Sequence, residues 1–86
     1  MTGLQVISHT PGPAWLPGIA FRDQPGVADH IATMQGWLAD GRLVVGGPFL
    51  DDAGGGMAIV RFDDVPSADA AAQADPAVQA GLLMAT

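Results

Sequence analysis

Branched apolar residues open the chain, and LQVIS, residues 4–8, predicts a first strand that the proline- and glycine-rich HTPGPAWLPG closes off. From Gln24 to Asp40 the pattern changes period. Val27, Ile31, Met34 and Leu38 stand four, three and four residues apart, which is one apolar stripe of an amphipathic helix. Pro25 suits the first helical position and Gly41 the residue just past the end. RLVVGGPFL, residues 42–50, predicts a second strand stopped by Gly46, Gly47 and Pro48. DDAGGG, residues 51–56, supplies a turn, and MAIVRF, residues 57–62, a third strand. The closeness of these two strands predicts an antiparallel hairpin with a long glycine-rich loop. Ser67 can cap a second helix running to Gln73, with Asp69 near its positive end. LLMAT, residues 82–86, reads as the start of a fourth strand.

The resulting order, β-α-β-β-α-β, is the split βαβ or ferredoxin-like arrangement of an α+β fold. Two helices would cover one face of a four-stranded sheet. The third strand places Met57, Ile59 and Arg61 on one side and Ala58, Val60 and Phe62 on the other, so both faces carry apolar groups. Face-to-face pairing of two copies would bury the second set, and a homodimer is the expected assembly.

One stretch breaks its own pattern. AAAQADPAVQAG, residues 70–81, begins as a strong helix former and then places Asp75 and Pro76 in the middle. Pro76 lacks an N–H and biases Asp75 away from helical geometry, so one helix should end and another turn begin there. Asp75 is suited to capping that turn, with Pro76 just after the cap.

Composition narrows the function. Eighty-six residues fit one small domain, residues 1–86, and 49% hydrophobic against 14% charged residues marks a chain that folds. Nine acidic residues against three basic ones give a net charge of −6, which argues against binding a phosphate backbone. Nucleic acid is not an expected partner. There is no Cys, so disulfides, thiolate metal ligands and a cysteine nucleophile are excluded. No stretch approaches ~18 consecutive apolar residues, and the first residues lack a basic segment followed by an apolar run. A cytoplasmic protein without a membrane partner is the expectation.

Few residues are left to carry chemistry. His30 falls about 60° from the centre of the first helix's apolar stripe, on the side of Trp37. It is a flank residue, suited to structure or to proton transfer near neutral pH. His9 follows the first strand. With His30 and an Asp it would have the donors of a metal site, but these residues come from separate elements without a recognised spacing, and no metal is expected. Asp51 and Asp52 begin a turn, where Asp bonds its own backbone. GGPF and DDAGGGM match neither phosphate-loop pattern, and turn flexibility explains their glycines. Trp15, held between Pro13 and Pro17, suits either a pocket wall or the core. Arg22 and Arg61 suit either a substrate anion or an aspartate partner.

Taken together, DHIATMQGWLADGRL, GGPF, GGGMAIV and DPAVQAGLL, in that order and spacing, resemble the YCII-related (YciI-like) family, over nearly the whole chain. HTPGPAW and GPFLD are similar to one subgroup of it. The resemblance implies a dimeric ferredoxin-like α/β-barrel whose active site pairs a histidine of the first helix with the aspartate of the Asp-Pro segment. By motif these are His30 and Asp75. One member type is a dehydrochlorinase of a chlorinated hydroxyhydroquinone, and the family's last strand usually runs several residues past the position of Thr86. A carboxylate holding one ring nitrogen fixes the histidine tautomer and raises its basicity, which suits elimination, isomerisation or decarboxylation of a small substrate without cofactor. Trp15, Phe49 and Met57 are expected as apolar wall, with Arg22 as a substrate-binding cation. A cofactor-independent, lyase-like enzyme is one reading; a metabolite-binding module and a structural or regulatory dimer are the others.

Overall fold

A computed structural model describes residues 3–49 and 54–86. Strand β1 spans Gln5–Pro11, helix α1 Val27–Ala39, strand β2 Leu43–Pro48 and strand β3 Gly56–Val60. Helix α2 spans Val65–Gln73, the single turn α3 Pro76–Gln79, and strand β4 Leu83–Ala85. A 3-10 turn, Phe21–Asp23, lies between β1 and α1. The strands form one sheet in the order β2-β3-β1-β4. Every neighbouring pair is antiparallel. This is a small α+β domain compatible with the ferredoxin-like expectation.

The sheet alternates as its period of two demands. Ile7 pairs with Ala58, and His9 pairs with Gly56 on one side and Ala85 on the other. These residues point into the core with Val60 and Leu83. Trp37 from α1 and Ala68 and Ala72 from α2 pack against them, the alanines letting α2 lie close to the strands. The opposite face carries Val6, Val45, Met57 and Met84, all exposed.

Several boundaries differ from the sequence expectations, each for a local reason. Strand β1 runs on through His9 and Thr10 to Pro11, because Thr10 and Pro11 find partners in Met84 and Leu83 of β4. Gly46, Gly47 and Pro48 belong to β2 rather than ending it. Helix α1 starts at Val27, not Gln24. Gly26 takes φ 89°, which turns the chain into the helix, and Pro25 lies in the turn before it. The Gln24 side chain is buried instead, donating from Nε2 to Leu16 O and Ile19 O at 2.8 Å and accepting from Leu16 N at 2.9 Å. Asp64 rather than Ser67 caps α2, accepting from the Ser67 N–H. Gly41, at φ 79°, ends α1 as expected. The expected turn at Asp51 and Asp52 lies outside the described residues.

The apolar stripe of α1 is also turned. Its buried residues are Val27, His30 and Trp37, whereas Ile31 and Leu38 are exposed. At 100° per residue the core-facing line is rotated by about 50° toward Trp37, which brings His30 from the flank into the interior.

Candidate functional site

The break at Asp75–Pro76 positions a carboxylate. Helix α2 ends at Gln73, Asp75 takes an extended conformation (φ −56°, ψ 129°), and α3 starts at Pro76. Asp75 Oδ1 accepts from the Ala77 N–H at 2.9 Å, capping the new turn. Asp75 Oδ2 lies 2.5 Å from His30 Nδ1. Capping and holding the histidine are therefore divided between the two oxygens and do not compete. Asp75 is 1% exposed and His30 7%, so this pair is screened from water.

Packing sets that distance. Val27, one turn before His30, shares a buried cluster with Ala77, Leu82 and Leu83. The cluster ties α1 to α3 at a point close to both side chains, and Phe21 adds an edge-on contact to the His30 ring, with centroids 5.9 Å apart. An ionised carboxylate only accepts, so Nδ1 of His30 carries the shared proton and Nε2 keeps a lone pair. That is the tautomer a general base needs.

His9 completes a cluster. It is 3% exposed, and its ring meets that of His30 edge-on at 5.0 Å between centroids. Burial, and secondarily the charge of His30, push the His9 imidazole down from 6.5 to about 4, against the opposing pull of Asp75. His9 is thus neutral at physiological pH. Its Nε2 is buried without a hydrogen-bond partner among the described residues. The proline-rich stretch that follows puts His9 beyond the strand in the linear pattern; two-residue alternation from Ile7 is the signal that it faces inward. Gln24 and its loop carry no such signal.

Beside the cluster lies a cavity of about 200 Å³, lined by His9, His30 and Phe21 and walled by Ile31, Met34 and Leu38 among others. The exposed flank of α1 is therefore a cavity wall; Met57, expected as wall, borders the cavity from β3, with its side chain on the outer sheet face. Trp15, Arg22 and Phe49 lie instead around an adjoining open groove, which shares Phe21 and Pro48 with the cavity. Trp15 packs against Phe21 at 6.0 Å between centroids. Gly54 and Gly55, both at positive φ, bring the loop before β3 onto Trp15 and onto the His9 carbonyl, so close that a Cβ at either position would clash. These glycines serve close approach as well as turning.

No helix among the described residues is long and apolar enough to cross a membrane. The family model of the YCII-related domain matches residues 5–86, which takes in every element from β1 to β4 and both members of the His30–Asp75 pair. No curated protein matches the chain.

Proposed function

The chain belongs to the YCII-related family, and from its buried histidine–carboxylate pair we propose that it is a small acid/base enzyme acting without a cofactor on a small organic substrate. The observation that carries this reading is the 2.5 Å contact between His30 Nδ1 and Asp75 Oδ2 at the edge of a largely apolar cavity. Asp75 holds the ring in one tautomer and offsets the charge it acquires, while Nε2 of His30 takes a proton from the substrate. In an elimination, the electron pair of the broken C–H bond forms the double bond as the leaving group departs with its own pair. The imidazolium then returns its proton to the leaving group or to solvent. A lyase of the dehydrochlorinase type fits this apparatus.

The cavity, at about 200 Å³, is below the ~300–1,000 Å³ of drug-sized ligand sites and suits a single ring with few substituents. Trp15, Phe49 and Arg22 around the neighbouring groove are positioned to hold a larger or anionic substituent. We further propose that a second copy of the chain covers the outer sheet face, where Val6 and Val45 are 58% and 57% exposed and Met84 51%. Turnover of halogenated or hydroxylated aromatic acids and small lactones by wild type and by His30→Gln tests the chemistry. Equal turnover by the two proteins removes His30 from the mechanism.

A further inference from the structure

We propose that His9, His30 and Asp75 form a binding site for one divalent transition-metal ion, held by two imidazole nitrogens and one carboxylate oxygen with its remaining positions toward the cavity. Each residue offers a ligand atom, and these atoms all lie within 4.8 Å of one another. All three side chains are buried, unlike surface acidic groups that gather without an ion. They are supplied by three elements, strand β1, helix α1 and the cap of α3, that the packed core fixes relative to one another.

The second observation is the Nε2 of His9. A buried nitrogen without a partner is costly because its lost hydration is not replaced, so its place in the core calls for a partner. That atom has no appreciable accessible surface, which leaves no room for a water at ~2.8 Å. A metal ion bonded at about 2.0–2.1 Å needs less room. Insertion of the ion opens His30 Nδ1 and Asp75 Oδ2 from 2.5 Å to about 3.3 Å, the spacing of two donors around a tetrahedral ion, while rotation of the His9 ring brings the third donor in. Asp75 Oδ1 stays on the Ala77 N–H throughout, which orients the carboxylate as an outer hydrogen bond commonly does for a metal ligand.

The donor set selects the ion. Two nitrogens and one oxygen suit Zn²⁺, Co²⁺, Ni²⁺ or Fe²⁺, whereas Mg²⁺ and Ca²⁺ require oxygen ligands. Both histidines line the cavity, so a coordination position is within reach of a small exogenous ligand. Because the ion takes the atoms that bind the shared proton, metal occupancy and the proposed acid/base role exclude each other at a given moment. The site itself does not depend on that role.

Chelator-stripped full-length protein is titrated with Zn²⁺ by calorimetry and with Co²⁺ by visible absorption, and the Co²⁺-shifted histidine resonances are assigned by NMR. One ion per chain is expected, with paramagnetic shifts at both His9 and His30 and no saturable binding of Mg²⁺. His9→Gln should weaken Zn²⁺ binding at least tenfold, and Asp69→Asn, on the exposed side of α2, should leave it unchanged. Lack of stoichiometric binding, or shifts confined to residues other than His9 and His30, overturns the proposal even where His9→Gln fails to fold. Turnover that depends on His30 without any Zn²⁺ binding leaves the acid/base reading standing and removes this one; Zn²⁺ binding together with equal turnover by metal-free wild type and metal-free His30→Gln does the reverse.

Discussion

Asp75→Asn and Asp75→Ala separate the two tasks of one side chain. Alanine removes both oxygens. It loses the cap on Ala77, worth about 1 kcal/mol, and leaves His30 Nδ1 without a partner in a buried site, worth a further 1–3 kcal/mol or so. A total loss of about 3 kcal/mol is expected. Asparagine keeps an oxygen for the Ala77 N–H but presents an N–H₂ group to His30. Two donors then face each other unless the ring moves its proton to Nε2 and accepts at Nδ1. The expected result is a loss of about 1–2 kcal/mol together with an inverted tautomer and no general base. Urea unfolding gives the stability, provided the slope with denaturant is unchanged, and ¹⁵N chemical shifts of the imidazole report which nitrogen is protonated. Equal destabilisation by the two substitutions would refute the division of labour between Oδ1 and Oδ2. A His30 ring that keeps its proton on Nδ1 in Asp75→Asn would refute the claim that the carboxylate sets the tautomer.

The remaining predictions concern the surroundings of the pair. Because burial lowers His9 from 6.5 to about 4, the folded protein binds fewer protons than the unfolded chain between those values. Its contribution is fully present above pH 6.5 and is lost as pH falls toward 4, by about 2–3 kcal/mol. Comparing unfolding of wild type and His9→Gln at about pH 7 and about pH 4.5 isolates this part, and parallel losses in the two proteins would contradict it. Gln24→Ala strips three hydrogen bonds from the loop between β1 and α1 and should cost about 2–3 kcal/mol. A thermal unfolding midpoint unchanged from wild type would show that the loop is held by other means.

The element order is legible because glycine and proline punctuate this chain so densely, and because LQVIS, RLVV and MAIV are too short and too branched to read as helices. The turn at Asp75–Pro76 is legible for the same kind of reason, since the geometry of a residue before proline is local. What the pattern cannot supply is direction. Periodicity counts apolar residues without knowing their neighbours, so Ile31 and Leu38, which wall a cavity, weigh as much as Val27 and Trp37, which fill the core. Pro11 and Pro13 set His9 outside the strand, yet pairing with β4 carries β1 past that point. Residue type alone groups Trp15, Phe49 and Arg22 with Met57. Only the tertiary arrangement separates the groove from the cavity, and Gln24, a polar residue serving as a buried clasp, has no signature in a linear pattern.

His30 and Asp75 are separated by 45 positions along the chain, and this separation has a kinetic meaning. Closing a loop of that length costs entropy before the single contact between them returns anything, so no locally ordered piece of the chain holds the pair together. It forms only when α1 and the α2–α3 junction have both docked on the sheet. The proton shared by these two side chains is consequently a probe of cooperativity: its slowly exchanging resonance should vanish at the first step of any stepwise unfolding that detaches either helix, while circular dichroism still reports most of the secondary structure.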